Sequence, residues 1–141
     1  MDSSQTVVVL APDVLGHSFD NAACARVLVK WRDGRLVPTL NRQLLQRYLK
    51  MLQDLGLSAP LLRRWGWWLT SADKVRFLDA RTDSDASGSA LCVELAKASG
   101  AAWVIAMRIP PASEREATNP GGLPVPWITP QEFMDGPGSD V

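Results

Sequence analysis

The chain has 141 residues, a length that suits one domain with a full hydrophobic core. Apolar residues make up 46% of the sequence and charged residues 21%, a balance that excludes bulk disorder. The 15 basic and 15 acidic residues cancel, which argues against tight, charge-driven binding to nucleic acid but leaves room for a local basic patch. The sequence begins without a secretory leader pattern, and its longest uncharged apolar stretch, 101–107, is too short to cross a membrane. A cytoplasmic protein without membrane contact is therefore expected.

Strand and helix patterns alternate along the sequence. Short apolar runs predict strands at 6–10, 36–39, 75–78, 103–107 and 127–129. Helical spacing of apolar residues predicts helices at 21–32, 42–55, 61–69, 89–99 and 130–134, with 11–19, 79–88 and 110–126 as loops. Strands that are apolar on both faces and alternate with helices indicate an α/β fold. We expect a three-layer domain over 1–134, with a parallel sheet of about five strands flanked by helices, and a disordered tail over 135–141.

In a parallel sheet of this kind the working site lies at the carboxyl ends of the strands, near the point where the strand order reverses. The candidate site residues that follow the predicted strands include Asp13, His17, Asp20, Asp79, Asp83, Asp85 and Arg108. No glycine-rich phosphate loop follows the first strand, which excludes the common dinucleotide and P-loop sites. Cys24 and Cys92 fall on predicted helices and are expected to be free, buried thiols. With His17 as the single histidine, a zinc site is nearly excluded.

Five stretches of the sequence together resemble PIN-domain proteins, especially the PIN toxins of bacterial toxin–antitoxin pairs. They are VVVLAPDVL at 7–15, ARVLVKWRDGR at 25–35, LLQRY at 44–48, LAKASGAAWVI at 95–105 and ITPQEF at 128–133. The resemblance implies a parallel sheet flanked by helices. It also implies metal-dependent RNA cleavage, in which several carboxylates hold Mg²⁺ or Mn²⁺, and surfaces for dimerisation or for an antitoxin-like partner.

The sequence departs from this family at the positions where the resemblance places acidic residues. Those positions carry Ala11, Gln46, Ser89 or Ala90, Ala102 and Arg108. An arginine would repel a divalent cation, whereas it could hold a phosphate or the carboxylate of a partner. We therefore predict a degenerate PIN-domain protein that needs no metal cofactor. It would act by binding to itself, to an antitoxin-like protein or weakly to RNA.

Two features leave alternatives open. Asp13 could form a displaced Mg²⁺ or Mn²⁺ site with Asp83 and Asp85, which would make the protein an active endoribonuclease, or it could simply stabilise a turn. The second feature is a cluster of arginines and tryptophans, Arg63, Arg64, Trp65, Trp67 and Trp68. Helical spacing places Trp65 and Trp68 on one face and Trp67 on another, so the cluster could serve the core, a protein interface or single-stranded nucleic acid.

Overall fold

An all-parallel sheet of five strands runs through the part of the chain that the computed structural model describes, residues 6–71, 73–78, 88–113 and 125–140. Its strands are β1 (Thr6–Leu10), β2 (Leu36–Leu40), β3 (Arg76–Phe77), β4 (Trp103–Ile105) and β5 (Trp127–Ile128). The helices are α1 (Pro12–Gly16), α2 (Ala22–Arg32), α3 (Arg42–Asp54), α4 (Ala59–Leu69), α5 (Gly88–Ser99) and α6 (Pro130–Asp135). The strand order is β3-β2-β1-β4-β5. The predicted α/β class, with a parallel sheet flanked by helices, is confirmed.

Strand β1 lies at the centre of the sheet. Val8 pairs with Pro38 of β2 on one side and with Trp103 of β4 on the other. Val8, Val9 and Leu10 have no exposed surface, so β1 is covered on both faces. This burial explains why the strand is a run of apolar residues rather than an alternation of apolar and polar ones.

Helices α2 and α3 begin and end within one residue of their predicted bounds, whereas α4 begins two residues earlier than predicted. The side chains of Asn21 and Asn41 accept hydrogen bonds from the backbone N–H groups of Cys24 and Leu44, at 3.1 and 2.9 Å. These bonds satisfy N–H groups that the first turns of α2 and α3 would otherwise leave unpaired. Gly56 follows α3 with a φ of 77°, a left-handed conformation that terminates the helix at little cost for glycine.

Two regions differ from the predicted arrangement. Residues 12–16 form the short helix α1 rather than a loop, because Pro12 starts the helix and Val14 is fully buried. At the other end of the chain, Pro137–Asp140 form a 3₁₀ turn where a disordered tail is predicted. Gly138 packs closely on Phe133 of α6, where a Cβ atom would collide with the aromatic ring. Most of the predicted loops at 79–88 and 110–126, namely residues 79–87 and 114–124, lie outside the described residues, and Gly88 is the first residue of α5.

None of the helices in the described ranges is both long and apolar enough to cross a membrane.

Two buried hydroxyl groups beside the central strand are in opposite situations. The Tyr48 hydroxyl on α3 donates a hydrogen bond to the Leu10 carbonyl at 2.5 Å and so joins this helix to the end of β1. The Thr39 hydroxyl on β2 is equally buried but has no hydrogen-bond partner among the described residues. A paired buried hydroxyl contributes to stability, whereas an unpaired one costs free energy because it has lost its water.

We predict that Tyr48→Phe and Thr39→Val change the free energy of unfolding in opposite directions. Tyr48→Phe leaves the Leu10 carbonyl without its hydroxyl donor and should cost about 1–3 kcal/mol. Thr39→Val replaces the unpaired hydroxyl by a methyl group of similar size and should stabilise the fold by about 1 kcal/mol. Urea unfolding at neutral pH measures both effects.

Gln53→Ala, on the exposed side of α3, is the control and should stay within about 0.5 kcal/mol of the parent. A loss of stability in Thr39→Val would mean that this hydroxyl does have a partner.

Candidate functional site

A pocket of about 210 Å³ opens at the carboxyl ends of β1 and β4. From β1 the sheet extends through β2 to β3, and from β4 it extends in the opposite direction to β5, so the pocket lies where the strand order reverses. This is the place at which open parallel sheets generally bind their ligands. The pocket is lined by Ala11, Pro12, Asp13, Cys92, Ala106, Arg108 and Trp127.

Two small side chains leave the space open. Ala11 directly follows β1, and its backbone N–H donates to the Ile105 carbonyl at 2.9 Å, which continues the pairing of β1 with β4. Ala106 directly follows β4 and is almost completely buried. Because both positions carry a single methyl group, the crevice between the two strand ends stays open.

Asp13 contributes a carboxylate to the pocket. It lies in the first turn of α1 and accepts a hydrogen bond from the backbone N–H of Met107 at 3.3 Å. Burial raises the pKa of this carboxyl, and the N–H group of Met107 and the nearby charge of His17 offset only part of the increase. Asp13 therefore fastens the segment after β4 to α1.

Two thiols flank Asp13. Cys92 on α5 lines the pocket. Burial, followed by the negative charge of Asp13, raises the pKa of this thiol to about 12, and the positive charge of Arg47 opposes the increase. Burial and the Asp13 charge also raise the pKa of Cys24 on α2 to about 11, and its sulfur lies 3.1 Å from that of Met107. Both cysteines are free and buried, as predicted. At neutral pH they are protonated, so Cys92 is an apolar wall of the pocket rather than a nucleophile.

Arg108 brings a positive charge to the mouth of the pocket. It follows β4 by three residues and is exposed. The ion pairs among the described side chains do not include it, so the binding of a ligand to its guanidinium breaks none of those pairs. Across the pocket, Trp127 of β5 contributes an aromatic surface that is half-buried.

These side chains do not fit a Mg²⁺ or Mn²⁺ site. Such an ion takes several oxygen ligands, and among the described residues that line the pocket Asp13 alone carries a carboxylate, which already accepts a backbone hydrogen bond. The Arg108 guanidinium lines the same space and would repel the ion. Within the described ranges no group of three His, Cys, Asp or Glu side chains is placed to hold a metal.

The structure brings together some of the predicted site residues and separates others. Ala11, Asp13 and Arg108 meet in the pocket. Gln46 is exposed on α3, and Ser89 and Ala90 lie in the first turn of α5. Ala102 precedes β4 and therefore lies at the amino end of this strand, whereas Arg108 lies beyond its carboxyl end. Ala102 therefore does not belong to the pocket. Asp83 and Asp85 lie outside the described residues.

Sequence reasoning missed two of the side chains that line the pocket and a third that acts on one of them. Cys92 lines it from α5, Trp127 lines it from β5, and Arg47 on α3 acts on Cys92 through its charge. A search of strand ends alone passes over all three, because two lie within helices and Trp127 lies within a strand. Arg47 directly follows Gln46 in the stretch LLQRY, so a search of both neighbours of Gln46 would have found it.

The tryptophans of α4 divide into two groups, as the helical spacing predicts. The rings of Trp68 and Trp31 of α2 stack in parallel planes with centroids 4.8 Å apart, and Trp65 packs against both at a tilt. Trp67 points away from this stack, and 69% of its surface is exposed. Arg63 and Arg64, one turn earlier on α4, are exposed as well.

Comparison of the chain with protein-family models, with curated proteins and with solved structures finds no match. The chemistry of the pocket and of the surface of α4 therefore carries the functional argument.

We predict that the stability of the parent relative to Asp13→Asn falls as the pH rises. In the unfolded chain Asp13 titrates near 3.8, and in the folded protein its pKa is higher. Between these two values the folded state binds more protons than the unfolded state, so the free energy of unfolding decreases with increasing pH. Asparagine keeps the acceptor for Met107 but does not ionise.

Urea unfolding of both proteins from about pH 3.5 to about pH 7 measures this difference. A relative stability of the parent that increases with pH would mean that the backbone donors outweigh burial and lower the pKa of Asp13.

Proposed function

We propose that this chain is a PIN-like domain that binds RNA weakly and does not use a metal ion to cleave it. In this proposal the pocket at the strand ends contacts one nucleotide of the RNA. The observation that carries the proposal is the guanidinium of Arg108, which lines the pocket at a position where the resemblance implies a carboxylate. The same pocket has an alanine, Ala11, at another such position.

Arg108 would bind a phosphate group of the RNA backbone. A guanidinium donates two parallel hydrogen bonds to phosphate oxygens, and charge makes these bonds stronger than neutral ones. Arg108 is exposed and free of the described ion pairs, so its binding to phosphate breaks none of them. It would supply the positive charge that a metal ion supplies in the enzymes that the sequence resembles.

Asp13 would select ribose over deoxyribose. A carboxylate repels phosphate, but it accepts a hydrogen bond from a 2′-hydroxyl, the group that distinguishes RNA from DNA. Its hydrogen bond from Met107 fixes its position and offsets part of its charge. One cation and one hydrogen-bond acceptor in the same pocket match the phosphate and the sugar of one nucleotide.

The size and charge of the pocket favour weak binding. A volume of about 210 Å³ is below the range of about 300–1,000 Å³ that is typical of sites for small-molecule ligands, and suits part of a nucleotide. Trp127 offers a surface on which a base can stack. The net charge of the chain is zero, so long-range attraction adds little to the affinity.

We predict that Arg108→Ala lowers the affinity for a fluorescently labelled single-stranded RNA by about tenfold, measured by anisotropy in EDTA. The loss of one phosphate contact should also make the slope of the logarithm of the affinity against the logarithm of the salt concentration less negative by about one. Arg108→Lys should retain part of the affinity, because lysine keeps the charge but not the two parallel bonds.

Arg42→Ala, an exposed arginine at the start of α3, is the matched control and should leave the affinity unchanged. Asp13→Asn should reduce the preference for RNA over DNA of the same sequence. Equal affinities of the parent and Arg108→Ala would refute the proposal. Cleavage in Mn²⁺ that Asp13→Asn abolishes would instead support the endoribonuclease with relocated acids, including Asp83 and Asp85.

A further inference from the structure

The exposed side of α4 has the composition of a protein-binding surface. Successive helical positions turn by about 100°, which places Pro60, Arg63, Arg64 and Trp67 on one side of the helix. All four are exposed, whereas Leu69 on the other side is fully buried. These four residues are called the α4 face below. Tryptophan and arginine are the residue types that most often dominate the binding energy of protein interfaces.

Trp67 is exposed although the same helix already buries two other tryptophans in part. Trp65 and Trp68 use the inner side of α4 to pack on Trp31. Trp67 is turned away from them, and 69% of its surface is open to solvent. Covering a large, water-exposed aromatic ring with a partner lowers the free energy of the system.

The charge of the α4 face is of one sign. Arg63 and Arg64 lie on either side of Trp67, one helical turn before it, and the segment 55–71 contains no Asp or Glu. No described ion pair involves either arginine. The face is therefore a positive patch with an aromatic centre on a chain whose net charge is zero. Electrostatic complementarity calls for a partner that is negative around an apolar side chain.

We propose that the α4 face binds an acidic segment of another protein, in which carboxylates pair with Arg63 and Arg64 and an apolar side chain covers Trp67. A second copy of the same face fits poorly, because it would bring four arginines together. Nucleic acid fits less well than an acidic peptide, since two cations neutralise few phosphates at physiological salt. In addition, Leu61 beside the face is 42% exposed, and an aliphatic surface suits a protein partner.

Selection from a displayed library of random peptides tests the proposal with the purified full chain. The recovered peptides should be rich in Asp and Glu next to Leu, Ile or Phe. Their affinity, measured by calorimetry with a synthetic copy of the most enriched peptide, should fall at least tenfold for Trp67→Ala. It should fall similarly for the charge reversals Arg63→Glu and Arg64→Glu. Both charge reversals should regain affinity for a version of the peptide in which lysine replaces the acids.

Phe19→Ala and Arg42→Glu are matched controls, because Phe19 is 60% exposed and Arg42 is exposed, and both lie outside α4. They should bind the peptide as the parent does, and so should Arg108→Ala, which separates this surface from the pocket. A library that yields no acidic binders, or binders that tolerate Trp67→Ala, would overturn the proposal. So would a dimer or a complex with single-stranded RNA that Trp67→Ala dissociates, since either would identify a different occupant.

Discussion

The arrangement of this protein depends on the complete burial of β1 between two parallel neighbours. A parallel strand cannot follow its neighbour through a tight turn, so each connection must cross over a face of the sheet. Between β1 and β4 these connections contain the helices α1 to α5, and the apolar run of Val8, Val9 and Leu10 is completely covered. Because β2 and β4 lie on opposite sides of β1, the chain leaves the carboxyl end of β1 towards one side of the sheet and the carboxyl end of β4 towards the other. The pocket is the space that this divergence leaves.

Polar groups at the end of β1 hold the rim of that space in place. Tyr48 hydrogen-bonds to the Leu10 carbonyl from α3, and Asp13 holds the backbone of Met107 from α1. Each bond joins a helix to a strand end, where the sheet itself no longer provides partners. The carboxylate of Asp13 thus has a structural task before it meets any ligand. Its hydrogen bond fixes the position of this acidic group, and its burial raises the pKa of the carboxyl.

Local sequence signals predicted the sheet and the starts of α2 and α3, because these follow from apolar runs and from the capping residues Asn21 and Asn41. The helix at 12–16 was missed, since a proline after a strand indicates a loop as readily as the first turn of a helix. In the site, the strand-end rule predicted Asp13 and Arg108. It could not predict Cys92 or Trp127, because their approach to the pocket depends on how α5 and β5 pack in three dimensions.

The position of the crevice, at the point where the strand order reverses, follows from topology. What the side chains decide is its size and its charge. Two alanines, Ala11 and Ala106, keep it open, and the neutral thiol of Cys92 keeps one wall apolar. Arg108 then makes its mouth suited to an anion rather than to a metal ion. A fold of this kind can therefore exchange the chemistry of its site through a few substitutions at strand ends, while the buried strand that creates the site stays unchanged.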